Sequence, residues 1–323
     1  MQDELDIQPS SNAASWLTIA VLALCMVVIE FITPVPIALR GSIPLVIAFT
    51  TLSAVAYYYR TVRRCEEFAE MCVSLSQVLL YSAIGIILSY LVARANNPLW
   101  DSTLQRWDVA LGFDWMAAMR LVDKSPLAVG IINVAYHSLI PQVIVVVCAL
   151  GFQRRIFELR AVMLAAMLCG SVCIVISAFM PAVAYGVHLG IRPGDFQNVF
   201  PSAGFIKMPD FETLRSGTIH ELDIVKMQGL ITFPSYHSGL SVVTFWGFWA
   251  ARQNWLRILG MTLAALTVVS TPIIGGHYLV DVIAGGVIAV ACIAIARRAI
   301  CLNPSFSLLK SSPSRHSHAA FGR

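Results

Sequence analysis

Apolar residues gather into eight long runs, at roughly 14–33, 41–59, 71–93, 127–150, 161–185, 235–251, 257–275 and 277–296. Most approach the roughly 20 residues that a helix needs to cross the hydrocarbon of a bilayer. A membrane barrel would instead show short segments of alternating polarity. The pattern predicts an all-α fold: a polytopic membrane helix bundle of about eight transmembrane helices. A single transmembrane domain is expected over 14–300. A short start (1–13) precedes it, and a Ser-rich, basic tail (301–323), expected to be disordered, follows.

Between the runs lie two long polar connections, about 94–126 and 186–234. Within the first, apolar residues, Trp100, Trp107 and Trp115 among them, recur at mixed three- and four-residue steps with charges between. That spacing predicts an amphipathic helix lying at the membrane boundary, where indoles are enriched. The short connections carry the arginines: Arg60, Arg63 and Arg64, then Arg154 and Arg155, Arg252 and Arg257, and Arg297 and Arg298. With eight spans these fall on one side, which the positive-inside rule makes cytoplasmic. Both termini are then expected in the cytoplasm and the long connections outside.

Composition narrows the class. Of the 323 residues, 58% are hydrophobic and 12% charged, half the usual charged share of a soluble domain. The net charge of +4 is spread between apolar runs, not gathered into the basic face that nucleic acid requires. The acidic start, Met1 to Asp6, is unlike a cleavable signal peptide. Six of the eight cysteines lie in apolar runs and the other two, Cys65 and Cys301, in basic segments; they read as packing residues.

Two acids fall inside the apolar runs, Glu30 and Asp281. Such residues are costly in a bilayer and call for a function or a partner. Glu30 lies near an outer span end, within reach of water. Asp281 is four residues after His277, on the same helix face. A second histidine, His237, follows Pro234 and Ser235 at the start of the sixth run. One span separates the sixth and eighth runs, so both begin on the same side of the membrane. Helix starts carry unpaired N–H groups and partial positive charge, so the two starts together predict an anion site. His277 and Asp281 alone could as readily be a buried packing pair; a metal site is a lesser alternative, because no third acid lies nearby.

The segments Phe233-Pro-Ser-Tyr-His237 and Gly275-Gly-His-Tyr-Leu-Val-Asp281 resemble the second and third motifs of the type-2 phosphatidic acid phosphatase superfamily. Their wording is most similar to the branch that includes inositol phosphorylceramide synthases. The resemblance implies a six-helix phosphatase-like core and a phosphohistidine mechanism without metal or cofactor. His277 would be the nucleophile, Asp281 its hydrogen-bonded orienter and His237 the general acid and base. Ser235 would hold phosphate oxygens. Two departures stand out. Thr271 occupies a position where the family carries arginine, and the family's Lys-x6-Arg-Pro motif is approximated only by Lys207 and Arg215, which are expected to bind phosphate, with Ser216 in place of proline.

The expected activity is that of a lipid phosphate phosphatase or phosphotransferase at the outer membrane face. It would face a periplasm or lumen, with a bacterial inner membrane as the expected location. Its substrate would be a lipid phosphate or pyrophosphate, and the acceptor water or a lipid alcohol. A head-group transferase of the inositol phosphorylceramide synthase type is the alternative. A proton-coupled transporter using His277 and Asp281 is another, though the chain shows no paired halves. His137, beside Pro141, is expected to make a structural hydrogen bond at a kink; His188 and His220 are expected to be exposed loop residues; His316 and His318 are expected to be idle in the tail.

Overall fold

The computed structural model describes residues 12–218, 222–223 and 227–301; the expectations for the first residues, His220 and the tail, with His316 and His318, lie outside these. Three helices come first: α1 (Ala13–Ile32), α2 (Ile43–Thr61) and α3 (Glu66–Ala93). Two short ones follow, α4 (Asp101–Ala110) and α5 (Trp115–Asp123). Then come α6 (Pro126–His137), α7 (Leu139–Phe152) and α8 (Ile156–Phe179). The second long connection holds α9 (Tyr185–His188), α10 (Ser202–Ile206) and α11 (Met208–Ser216). The bundle closes with α12 (Tyr236–Trp249), α13 (Asn254–Ile274) and α14 (Leu279–Cys301). A two-residue parallel pairing of Ile37–Ala38 with Leu222–Asp223 is the only β structure among the described residues.

All eight apolar runs are helical, but they are not eight uniform spans. Five helices (α1, α3, α8, α13 and α14) are long and apolar enough to cross a bilayer. A sixth span is formed if α6 and α7, bent by 54° at Ser138, count as one. The bend comes from a break at Ser138, whose hydroxyl folds back on the Ala135 carbonyl and accepts from the Gln142 amide. His137, expected to make a hydrogen bond there, is exposed at the end of α6 with its ring edge-on to Tyr136. α12 has only 14 residues, about 21 Å of helix.

The most buried span is α8, whose Val162, Leu164, Cys169 and Cys173 pack against Val146, Val243 and Ala289 of its neighbours. Small residues let the last helices approach closely: a methyl group on Gly285 would lie 2.1 Å from the Ser235 carbonyl oxygen, and one on Gly239 3.0 Å from that of Gly285. This is small-residue packing of membrane helices. Outward faces stay apolar, as at Leu17, Leu24, Phe31, Val287 and Val290.

The arginine-bearing turns meet at one end. Arg154 pairs with Glu67 at 2.9 Å, and the Arg252 amide donates to Gln153. Also at the start of α3 is Glu70, 1% exposed, which accepts from Arg60, Arg160 and Asn12. This network ties together α2, α3, α8 and the residue before α1.

The expected single boundary helix is two. Gly112, at φ +76°, turns the chain between α4 and α5. Trp107 is exposed, but Trp115 is buried, stacked on Tyr185, and donates its indole N–H to the Pro272 carbonyl at 2.9 Å. Glu30 is also more enclosed than expected: one carboxylate oxygen accepts the Val35 amide and the other is buried without a partner among the described residues.

Candidate active site

The starts of α12 and α14 are joined directly. The Ser235 amide donates to the Asp281 carbonyl at 3.1 Å, and the Ser238 hydroxyl donates to the Val282 carbonyl at 2.9 Å. The close approach at Gly239 and Gly285 makes these bonds possible. The two segments that carry the histidines therefore form one unit.

His277 sits in the turn between α13 and α14. Gly276 is in the left-handed region, φ +66°, which favours glycine, and its carbonyl accepts from the Tyr185 amide. The His277 Nδ1 lies 3.2 Å from Asp281 Oδ2, and the same oxygen accepts the Tyr278 amide at 3.0 Å. A carboxylate accepting from Nδ1–H leaves the lone pair on Nε2. Both residues are buried, and Asp281 Oδ1 has no partner among the described residues.

His237 lies in the first turn of α12. Its ring stacks on Tyr136 at 4.1 Å between centroids, and its Nε2 is 3.1 Å from the Tyr136 carbonyl oxygen. Since a carbonyl only accepts, Nε2 carries hydrogen and Nδ1 is the free position. The ring of Tyr136 links the two histidines: a methyl on Gly275 would lie 2.8 Å from His277 Cδ2 and 3.0 Å from Tyr136 Cε2.

Ser235 is fully buried and is the N-cap of α12, its Oγ accepting from the Ser238 amide at 3.3 Å. Lys207, between α10 and α11, is in electrostatic contact with Asp281, His237 and His277. Burial lowers its ammonium from 10.5 to about 8, although Asp281 pulls the other way. Its ammonium has no hydrogen bond or ion pair among the described residues. Arg215, at the other end of α11, donates to the Asn97 carbonyl at 2.9 Å and lies over the Phe211 ring. Its electrostatic partner is Asp101 rather than either histidine. Thr271, in the position where the family carries arginine, turns its hydroxyl back to the Thr267 carbonyl. His188 is half-buried and bonded to Gln105 rather than free in solvent.

Two acids that the sequence reading passed over complete the site's frame. Asp108 accepts from the amides of Leu279 at 2.8 Å and Val280 at 2.9 Å. Asp101 accepts the Val183 amide and the Tyr278 hydroxyl, the latter at 2.8 Å. Burial raises both carboxyls from the usual aspartate value, and the amides they accept oppose that rise. The start of α14 is thus not an open anion site, because Asp108 and Asp281 already occupy its first amides. The signal for this was present: Asp101, Leu104 and Asp108 fall on one face of α4 and are its buried residues.

The geometry supplies a buried imidazole oriented by Asp281 and beside the Thr232 backbone, a second imidazole near it and an unpaired ammonium in the same field. Such groups can stabilise and exchange a phosphoryl group. Neither a curated protein nor a solved structure matches the chain. Members of the PAP2 superfamily are phosphatases or phosphotransferases. Residues 102–295, more than half of this apolar, helical membrane chain, match that superfamily, and the protein belongs to it.

Proposed function

We propose that the protein is a lipid phosphate phosphatase working through a phosphohistidine on His277. The observation that carries this reading is the Nδ1 contact to Asp281, which leaves Nε2 of a buried ring as the nucleophile. In the first step Nε2 of His277 attacks phosphorus and the P–O bond to the lipid breaks, while His237, entering the step as an imidazolium with hydrogen on both ring nitrogens, gives its Nδ1 proton to the leaving alkoxide. In the second step His237 takes a proton from water, the resulting hydroxide attacks phosphorus, and the N–P bond breaks to release phosphate. Asp281 steadies the imidazolium character that His277 gains. The ammonium of Lys207 balances charge on the phosphoryl oxygens, and Ser235 holds the α12 start against Asp281. Arg215, with Nη2 held by the Asn97 carbonyl and Nη1 buried without a partner among the described residues, has no assigned step.

The reaction would take place on the face opposite the arginine-bearing turns. By the positive-inside rule that face is the periplasmic or luminal one, with both termini in the cytoplasm. A lipid alcohol could replace water in the second step, as in a head-group transferase, because the phosphoenzyme is common to both reactions.

The test is a phosphoenzyme trap. Purified protein pulsed with a lipid phosphate labelled at phosphorus should carry an acid-labile label on His277 and release inorganic phosphate. His277→Ala should lose both, and Asp281→Asn, which favours the wrong tautomer, should lower turnover by about 10³-fold or more. Undiminished turnover in His277→Ala would overturn the assignment. Adding a diacylglycerol- or ceramide-like alcohol to the trapped species distinguishes transferase from phosphatase.

A further inference from the structure

At the end of the bundle away from the histidines, a cavity of about 460 Å³ lies among the α7–α8 turn, the α12–α13 turn and the last turns of α14. Arg155, Arg252, Arg257 and Arg297 line it, together with Trp246 and Trp249. Arg155 is neutralised by Glu158. The other three guanidinium groups have no ion pair among the described residues. Three uncompensated cations facing one hollow repel one another unless an anion joins them.

The positive-inside pattern explains why arginines occur at this end, but not their convergence on one cavity. Nor does it explain what the cavity adjoins. A second hollow, about 700 Å³, runs along the outer groove between α12 and α13. Phe245, Ile258, Met261, Ala265 and Val269 line it. The two hollows share Trp249 and Arg257. A cationic chamber thus opens onto an apolar trough, with an amphipathic indole at the junction.

We infer that this is a binding site for an anionic phospholipid of the leaflet opposite the histidine site. The headgroup phosphate lies among Arg252, Arg257 and Arg297, where guanidinium forks match phosphate oxygens, and an acyl chain lies in the α12–α13 groove. A free phosphate would satisfy the arginines but leave the trough empty, and a zwitterionic lipid would fill the trough but not balance the three cations. Basic pockets between membrane helices bind anionic headgroups for the same reason. Trp249 is twelve residues after His237 on α12, about 18 Å along the helix, so the site is separate from the proposed catalytic one. The inference does not depend on the catalytic reading.

The experiment uses the full-length His277→Ala protein in a neutral detergent, so that no lipid is consumed. Added phosphatidylglycerol, a phosphodiester, should raise the Tm by about 5 °C at saturation. Phosphatidylcholine, inorganic phosphate and glycerol phosphate should each give less than a third of that shift. Arg252→Gln/Arg257→Gln/Arg297→Gln should lose the phosphatidylglycerol shift, while Arg63→Gln/Arg64→Gln should keep it. Should the triple variant fail to fold, Ala265→Trp, which fills the trough and leaves the arginines intact, should lose the shift by itself. An equal shift with phosphatidylcholine overturns the anionic requirement. A full shift with inorganic phosphate overturns the lipid. The absence of any shift overturns the site.

Discussion

The carboxylate of Asp108 accepts the backbone amide of Leu279 at 2.8 Å, across 171 residues of chain. With Val280 bonded to the second oxygen, one side chain on α4 caps the helix that follows His277. The histidine turn is therefore held from outside as well as by Asp281.

Replacing that cap tests whether α4 positions the turn. Asp108→Ala leaves two half-buried amides unpaired and should destabilise the protein by about 1–3 kcal/mol. Turnover should fall by about tenfold or more, with KM little changed, because Asp108 does not touch the proposed phosphate. Asp108→Asn keeps an acceptor and should recover much of the turnover. A fall confined to KM would indicate that α4 contacts substrate instead.

Lys207 gives the site a signed pH dependence. Its ammonium is held at about 8, below its ordinary 10.5. The charge that stabilises the phosphate is present below pH 8 and lost above it, so kcat/KM should fall across that value. Between pH 8 and 10.5 the unfolded chain binds the proton and the native protein does not, so this group makes stability rise over the same range. Activity and Tm should therefore move in opposite directions where Lys207 titrates. In Lys207→Met the alkaline limb should vanish and activity should be low throughout. An unchanged profile in that variant would remove Lys207 from the mechanism.

Adjacent glycines on α14 should respond differently to one added methyl. Gly285→Ala places a carbon 2.1 Å from the Ser235 carbonyl oxygen, and the obstacle is backbone. It should separate the α12 and α14 starts, lower activity by at least tenfold and lower Tm. Gly286→Ala meets only Val242 Cγ2 at 3.8 Å and should be neutral, or stabilising by up to about 1 kcal/mol from helix propensity. Equal outcomes would show that the close crossing is not required.

The buried ion-pair network should be unequal in its parts. Glu70→Ala removes a 1% exposed carboxylate that meets Arg160, 6% exposed, at 2.8 Å and should cost about 3–5 kcal/mol. Arg60 is 40% exposed, and Arg60→Ala should cost under about 1 kcal/mol. Thermal unfolding of the two variants in one detergent measures the difference.

The helices were legible because long apolar runs leave few alternatives. The pairing of His277 with Asp281 was legible because four residues along a helix return to the same face. What stayed hidden depends on partners distant in sequence. Glu70 lies just outside an apolar run, and its need for Arg160 shows only when α3 meets α8. Trp115 has the indole that marks a membrane boundary, yet the Pro272 carbonyl and the Tyr185 ring draw it inside. The start of α14 has the features of a free anion site until Asp108 arrives from another helix. The kink beside Pro141 was legible from the proline, but hydropathy alone gives no mark of the break at Ser138, because both halves are apolar.

The brevity of α12 has its own consequence. Fourteen residues cover about two-thirds of a hydrocarbon layer near 30 Å thick. Were its Trp249 end anchored at the opposite surface, its His237 end would stop below the near one. Chemistry at that depth would take place beside the glycerol backbone of surrounding lipids, and a substrate would need to sink only slightly from its resting position. The scarce reactant there would be water, so hydration of the vestibule, rather than capture of lipid, would set the pace of turnover.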